Sequence, residues 1–153
     1  MLQSRNLPTF FLRHQNAEGE LNEFDRNFGQ DFMFEIVEDS IGERRAVRFK
    51  AVNDGFGGSA SKMFLRHKNY RILLEDEERT SNPELFRKDS TFFPHLGLAS
   101  PNGASPLEGL SFEATNVERH FIRHFDFHLF IGVKVPGDIH FEGDATWVKT
   151  APF

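Results

Sequence analysis

The pattern F-[LI]-R-H occurs three times in the chain, as Phe11-Leu12-Arg13-His14, Phe64-Leu65-Arg66-His67 and Phe121-Ile122-Arg123-His124, with the histidines 53 and 57 residues apart. Each copy continues as H-x-[ND], through Asn16, Asn69 and Asp126. A second pattern, F-x-x-D-x-x-[FW], follows every time: Phe28, Asp31 and Phe34, then Phe86, Asp89 and Phe92, then Phe141, Asp144 and Trp147. The spacing from His to Asp is 17, 22 and 20 residues. An upstream element also recurs, with Phe49 to Asn53 matching Phe112 to Asn116 and Leu2 to Asn6 as a worn copy. Independent motifs in constant order make the chain an internal triplication, which constrains the fold more than any composition does.

A period near 50 residues is too long for a helical hairpin and suits a unit of several strands. Segments such as Ala46 to Val52 and Tyr70 to Leu74 are short, rich in β-branched and aromatic residues, and bounded by turn formers. Gly58 to Ser61 and Ala99 to Pro106 read as loops. Three such units are too few for a propeller and favour a closed pseudo-threefold barrel, so the expected fold is an all-β β-trefoil. One domain covers residues 1–153, with repeats of about 1–45, 46–108 and 109–153.

The 19 Phe in 153 residues give three small units enough aromatic area to share one core. Eighteen Lys and Arg against 23 Asp and Glu leave a charge of -5 and no basic run that could track phosphates, which argues against nucleic acid as a partner. The absence of Cys excludes disulfides and thiolate metal sites. No uncharged stretch has bilayer-spanning length, so no membrane partner is expected. The first residues lack the apolar core of a secretion signal, and the Met1 start points to the cytoplasm.

Leu85-Phe86-Arg87-Lys88-Asp89-Ser90-Thr91-Phe92-Phe93-Pro94-His95-Leu96-Gly97-Leu98, followed by Leu110 to Asn116 and Phe121-Ile122-Arg123-His124, resembles the arabinose-binding domain of fungal α-L-arabinofuranosidase B, carbohydrate-binding module family 42. The resemblance spans essentially the whole chain. It implies a β-trefoil with up to three shallow pockets for arabinofuranosyl or related side chains, an extracellular setting, and an arabinose-containing polysaccharide as partner. Carried over by motif, the sugar contacts are His14 with Asp31, His67 with Asp89, and His124 with Asp144. The expected activity is non-catalytic and lectin-like, without cofactor or metal. The runner-up is a protein-interaction or scaffold module that keeps the fold and has lost the sugar. Asn53 lies 14 residues before His67, where Asn6 and Asn116 lie 8 before their histidines, which reads as an insertion of Gly55 to Ala60 beside the second pocket.

These residue types suit a furanose. A carboxylate accepts two hydroxyl protons, an imidazole donates or accepts, and an aromatic wall such as Tyr70, Phe127 or Trp147 faces the C–H side of the ring. The competing role for each Asp is to cap a turn, and for each His to be a satisfied core group. The recurrent Arg13, Arg66 and Arg123 read as structural hydrogen-bond anchors between repeats. His120, His124 and His128 have helical metal-ligand spacing, but the surrounding alternation is that of a strand, where four residues span too far to converge on one ion. Glu75 to Glu78 reads as a solvated acidic loop. No nucleophile elbow, phosphate loop or zinc-protease motif is present, and three Asp in separate units make poor hydrolytic partners.

Overall fold

Three hairpins carry the F-[LI]-R-H copies: β2 (Phe10–Gln15) with β3 (Glu18–Glu23), β6 (Met63–Lys68) with β7 (Arg71–Asp76), and β10 (His120–Phe125) with β11 (His128–Val133). Each closes through two residues at positive φ: Asn16 and Ala17, Asn69 and Tyr70, Asp126 and Phe127. Such turns match the twist of the strands they join, and Asn or Asp tolerates the left-handed first position. The H-x-[ND] signature is therefore the turn signal. This computed structural model describes residues 1–56, 62–99 and 108–152. Gly58 to Ser61 and Ser100 to Pro106, read above as loops, lie outside the described residues.

The remaining strands are β1 (Leu2–Ser4), β4 (Phe34–Ile41), β5 (Arg44–Ala51), β8 (Phe92–Leu96), β9 (Leu110–Ala114) and β12 (Trp147–Lys149). All twelve described strands join one antiparallel sheet, in the order β10-β11-β3-β2-β1-β12-β9-β8-β5-β6-β7, with β4 on β5. Pairing of β10 with β9 closes the sheet on itself, and β3, β7 and β11 pair with one another.

The all-β expectation holds, but the β-trefoil of three internal repeats is corrected to a closed antiparallel barrel. The sheet runs without a break through the expected boundaries. An eight-pair β4–β5 ladder spans the first of them, and β1 pairs with β12 from the far end of the chain. Triplicated motifs specify local turns and hydrogen bonds. They do not specify which strand edges meet, and those pairings set the architecture.

Inside the barrel the motif's Leu12, Leu65 and Ile122 meet Phe49, Phe92, Phe112 and Trp147 in one buried cluster. Phe11 packs with Phe32, and Phe121 with Phe141, in satellite clusters outside it. The F-[LI]-R-H strands are thus buried on both faces, which explains why the motif does not show apolar alternation.

Short helices carry the Asp motif: a 3₁₀ helix (Arg26–Phe32), α1 (Pro83–Asp89) and α2 (Ile139–Asp144). Asp25, Asn82 and Asp138 cap them by accepting backbone N–H bonds. Phe86 and Phe141 are buried, whereas Phe28, at the same motif position, is 53% exposed. Its backbone (φ -122°, ψ 26°) breaks the first helix, and Phe32 fills the core position instead.

Arg71 ties the three hairpins at one end of the barrel. Its guanidinium donates to the carbonyls of Gly19 and Leu129, both at 2.7 Å, and to Glu20 at 2.8 Å. Glu20 also accepts from His128. The acidic run is corrected in the same way: Glu75 and Asp76 belong to β7, and Glu77 pairs with the buried Arg48 at 2.5 Å. Removing one partner of a mostly buried ion pair strands the other, so Arg71→Met is expected to cost about 3 kcal/mol in urea unfolding. Adding Glu20→Gln should recover part of that loss.

Candidate functional site

Each motif Asp sits at or near the C-terminal end of its helix and faces the Arg of its own F-[LI]-R-H strand. Arg13 donates to Asp31 Oδ2 at 2.5 Å, Arg123 to Asp144 Oδ2 at 2.5 Å, and Arg66 to Asp89 Oδ2. The second carboxylate oxygen accepts from an Asn amide: Asn53 to Asp31 at 2.8 Å, Asn116 to Asp89 at 2.7 Å, and Asn6 to Asp144 at 2.8 Å. The Oδ1 of the same Asn lies 2.7 Å from His14 Nε2, 2.8 Å from His67 Nε2, and 2.8 Å from His124 Nε2. Three chains of Arg, Asp, Asn and His result.

This arrangement fixes chemistry. The Asn Oδ1 only accepts, so each His carries its proton on Nε2 and presents Nδ1 as an acceptor. His14 Nδ1 is buried without a partner among the described residues, and Gly55 packs against its ring. Each carboxylate oxygen already accepts one bond and retains a lone pair for a hydroxyl donor. The Asp residues are not turn caps, and the Arg residues, expected to anchor between repeats, instead hold the Asp of their own motif copy.

The structure brings every sequence-identified His and Asp together in its expected pair: His67 Nε2 lies 3.6 Å from Asp89 Oδ1, and His124 Nε2 lies 3.6 Å from Asp144 Oδ1. His14 joins Asp31 through Asn53. The three Asn were missed as site residues although their recurrence was visible. Their partners are not the histidines that follow them: Asn53 serves His14, Asn116 serves His67, and Asn6 serves His124 across the chain. Gly55 consequently lies beside the first site, which corrects the placement of the inserted stretch beside the second. Gly57 to Ala60 of that stretch are outside the described residues.

Of the expected aromatic walls, Trp147 is fully buried, donating to Ile122 O at 3.1 Å, with its ring edge-on to His124. Tyr70 and Phe127 are exposed at the hairpin tips, and Tyr70 packs on His120. His120 and His124 lie on β10 and His128 opens β11, each with different partners. Asp31 and Asn53 line a cleft of about 490 Å³, together with Phe24, Phe28, Gln30 and Gly55.

A family model for the alpha-L-arabinofuranosidase B (ABFB) domain matches residues 54–149, well over half of the chain. The chain belongs to the ABFB domain family. Among solved structures, this ABFB domain superimposes on an arabinofuranosidase complexed with arabinofuranosyl-α-1,2-xylobiose, with TM-score 0.70 and 18% identity, covering 96% of this chain and 29% of that one. A GH54 α-L-arabinofuranosidase variant soaked with 4-nitrophenyl α-L-arabinofuranoside gives TM-score 0.72 at 16% identity over 96% and 29%. An endo-β-galactosidase from Clostridium perfringens that releases GlcNAcα1-4Gal gives 0.63 at 11% over 96% and 31%. These likenesses concern the fold, and the ABFB domain spans less than a third of each of those chains. No curated protein matches the chain.

Burial pushes the imidazoles of His14, His67 and His124 below their ordinary value, and the neighbouring Arg adds to this, while Asp works against it. The unfolded imidazoles titrate near about 6.5 and the folded ones lower, so the unfolded chain binds more protons between those values. Stability is therefore complete above about pH 6.5 and falls as pH drops through the folded values. Urea midpoints should be flat from roughly pH 8 to 7 and decline toward about pH 5, with a shallower decline in His67→Gln.

Proposed function

We propose that this ABFB domain is a non-catalytic carbohydrate-binding module that recognises arabinofuranosyl-type side chains through its His and Asp pairs. The carrying observation is the thrice-repeated chain in which Arg and Asn orient an Asp carboxylate beside a neutral His. An arabinofuranosyl group offers vicinal hydroxyls and no charge, and a pre-oriented carboxylate with free lone pairs accepts them without reorganisation. The cleft beside Asp31 supports counting the first site with the other two. The family membership and the arabinofuranosides named with the similar enzymes support the choice of sugar. Up to three weak sites would gain strength on a branched polysaccharide by multivalency.

Calorimetric titration with arabinose-substituted xylo-oligosaccharides tests this. Asp→Ala would leave a buried Arg unpaired, so Asp→Asn is the better probe of binding in a folded chain. Asp89→Asn with Asp144→Asn should weaken binding at least about tenfold, equal to about 1.4 kcal/mol. Undiminished affinity in a folded double variant would remove these pairs from the sugar site.

A further inference from the structure

A second recess, of about 470 Å³, is lined by residues of β8, β9, β10, α2 and the segment after β11, and by none of the three motif Asp residues. Its base is built and fixed. Glu113 Oε1 lies 2.9 Å from His95 Nε2, while Glu113 Oε2 accepts the backbone N–H of Arg119 at 2.7 Å. The His95 ring stands edge-on to Phe121, and Arg44 lies over Phe93.

Arg119 holds φ at 61° and is the one non-glycine residue at positive φ outside the three hairpin turns, among the described residues. That conformation is costly for a residue with a Cβ. It is held by Glu113 and by Lys134, whose N–H donates to Arg119 O at 2.9 Å. Arg119 and Lys134 both line the recess, and the Arg119 guanidinium donates to Lys134 O at 3.2 Å, which keeps the two cationic residues next to each other. Neither is in an ion pair among the described residues, and the same is true of Glu142, which also lines the recess. Leu98 and Pro136 add apolar surface to the lining.

We propose that this recess binds an acidic sugar, a hexuronate residue, as a site separate from the His and Asp pairs. The sugar carboxylate pairs with Arg119 and Lys134, for which a guanidinium fork and an ammonium are the fitting partners. A ring hydroxyl donates to Glu142, and the C–H face of the ring lies on Leu98 and Pro136. A bare anion would gain nothing from Glu142 or the apolar wall. A neutral sugar would leave both cations without a counter-charge in a chain whose overall charge is -5.

Titration of ¹⁵N-labelled protein with methyl β-D-glucuronide, methyl β-D-glucoside and sodium acetate tests the assignment. The amide resonances of Arg119, Lys134 and Glu142 should shift with the glucuronide and remain in place with the other two. Arg119→Gly keeps the left-handed backbone without strain, so it removes the guanidinium from a folded chain. It should weaken glucuronide binding about tenfold while arabinoside binding is unchanged. Asp89→Asn should do the reverse, which separates this site from the sugar reading above. Equal shifts with acetate or glucoside, no shift with glucuronide, or undiminished binding in Arg119→Gly would each overturn the proposal.

Discussion

A buried carboxylate must be paired, and in this chain that requirement is met three times by an arginine that directly follows a core residue of its strand. Arg13 with Asp31, Arg66 with Asp89, and Arg123 with Asp144 each hold a short helix against a hairpin. Much else follows from that pair. Once the Arg has taken one carboxylate oxygen, the other is free to accept an Asn amide from a different stretch of chain, and that Asn in turn accepts from a His. Local structure, long-range closure and the candidate binding chemistry therefore share the same atoms, and a lost ion pair would disturb all of them.

Small side chains make room for this. A Cβ on Gly132 would come within 2.7 Å of Arg123 Cδ, and one on Gly143 within 2.9 Å of Asn6 Nδ2. Glycine at those positions is a packing requirement of the third Arg, Asp and Asn set. Arg71 plays a comparable part at the hairpin end, where its two terminal nitrogens donate to carbonyls of β3 and β11 and to carboxylates of β3.

The three motif copies are not equivalent in detail. The first uses a broken 3₁₀ helix with an exposed Phe28, and Gly55 packs on its histidine; the second and third use capped α-helices with Phe86 and Phe141 buried. The His124 set adds Ser4, whose Oγ lies 3.2 Å from the imidazole. Such differences sit around a constant hydrogen-bonded chain, so they vary access to the carboxylates more than the orientation of the groups themselves.

From sequence alone, the recurring motifs, the all-β character and the neighbourhood of each His and its own Asp were legible, because all three depend on residues close together or recurring at fixed spacing. The Asn partners, the true neighbour of Gly55, the burial of Trp147, and the recess that joins His95, Glu113, Arg119 and Lys134 were not. Repetition also overreached, for it was read as three separate units where the strands form one continuous closed sheet. Spacing and turn chemistry fix the hairpins locally, whereas edge pairing and the reach of Asn6 to His124 are settled only when distant segments fold together, since any open edge or unpaired buried carboxylate would be too costly to leave.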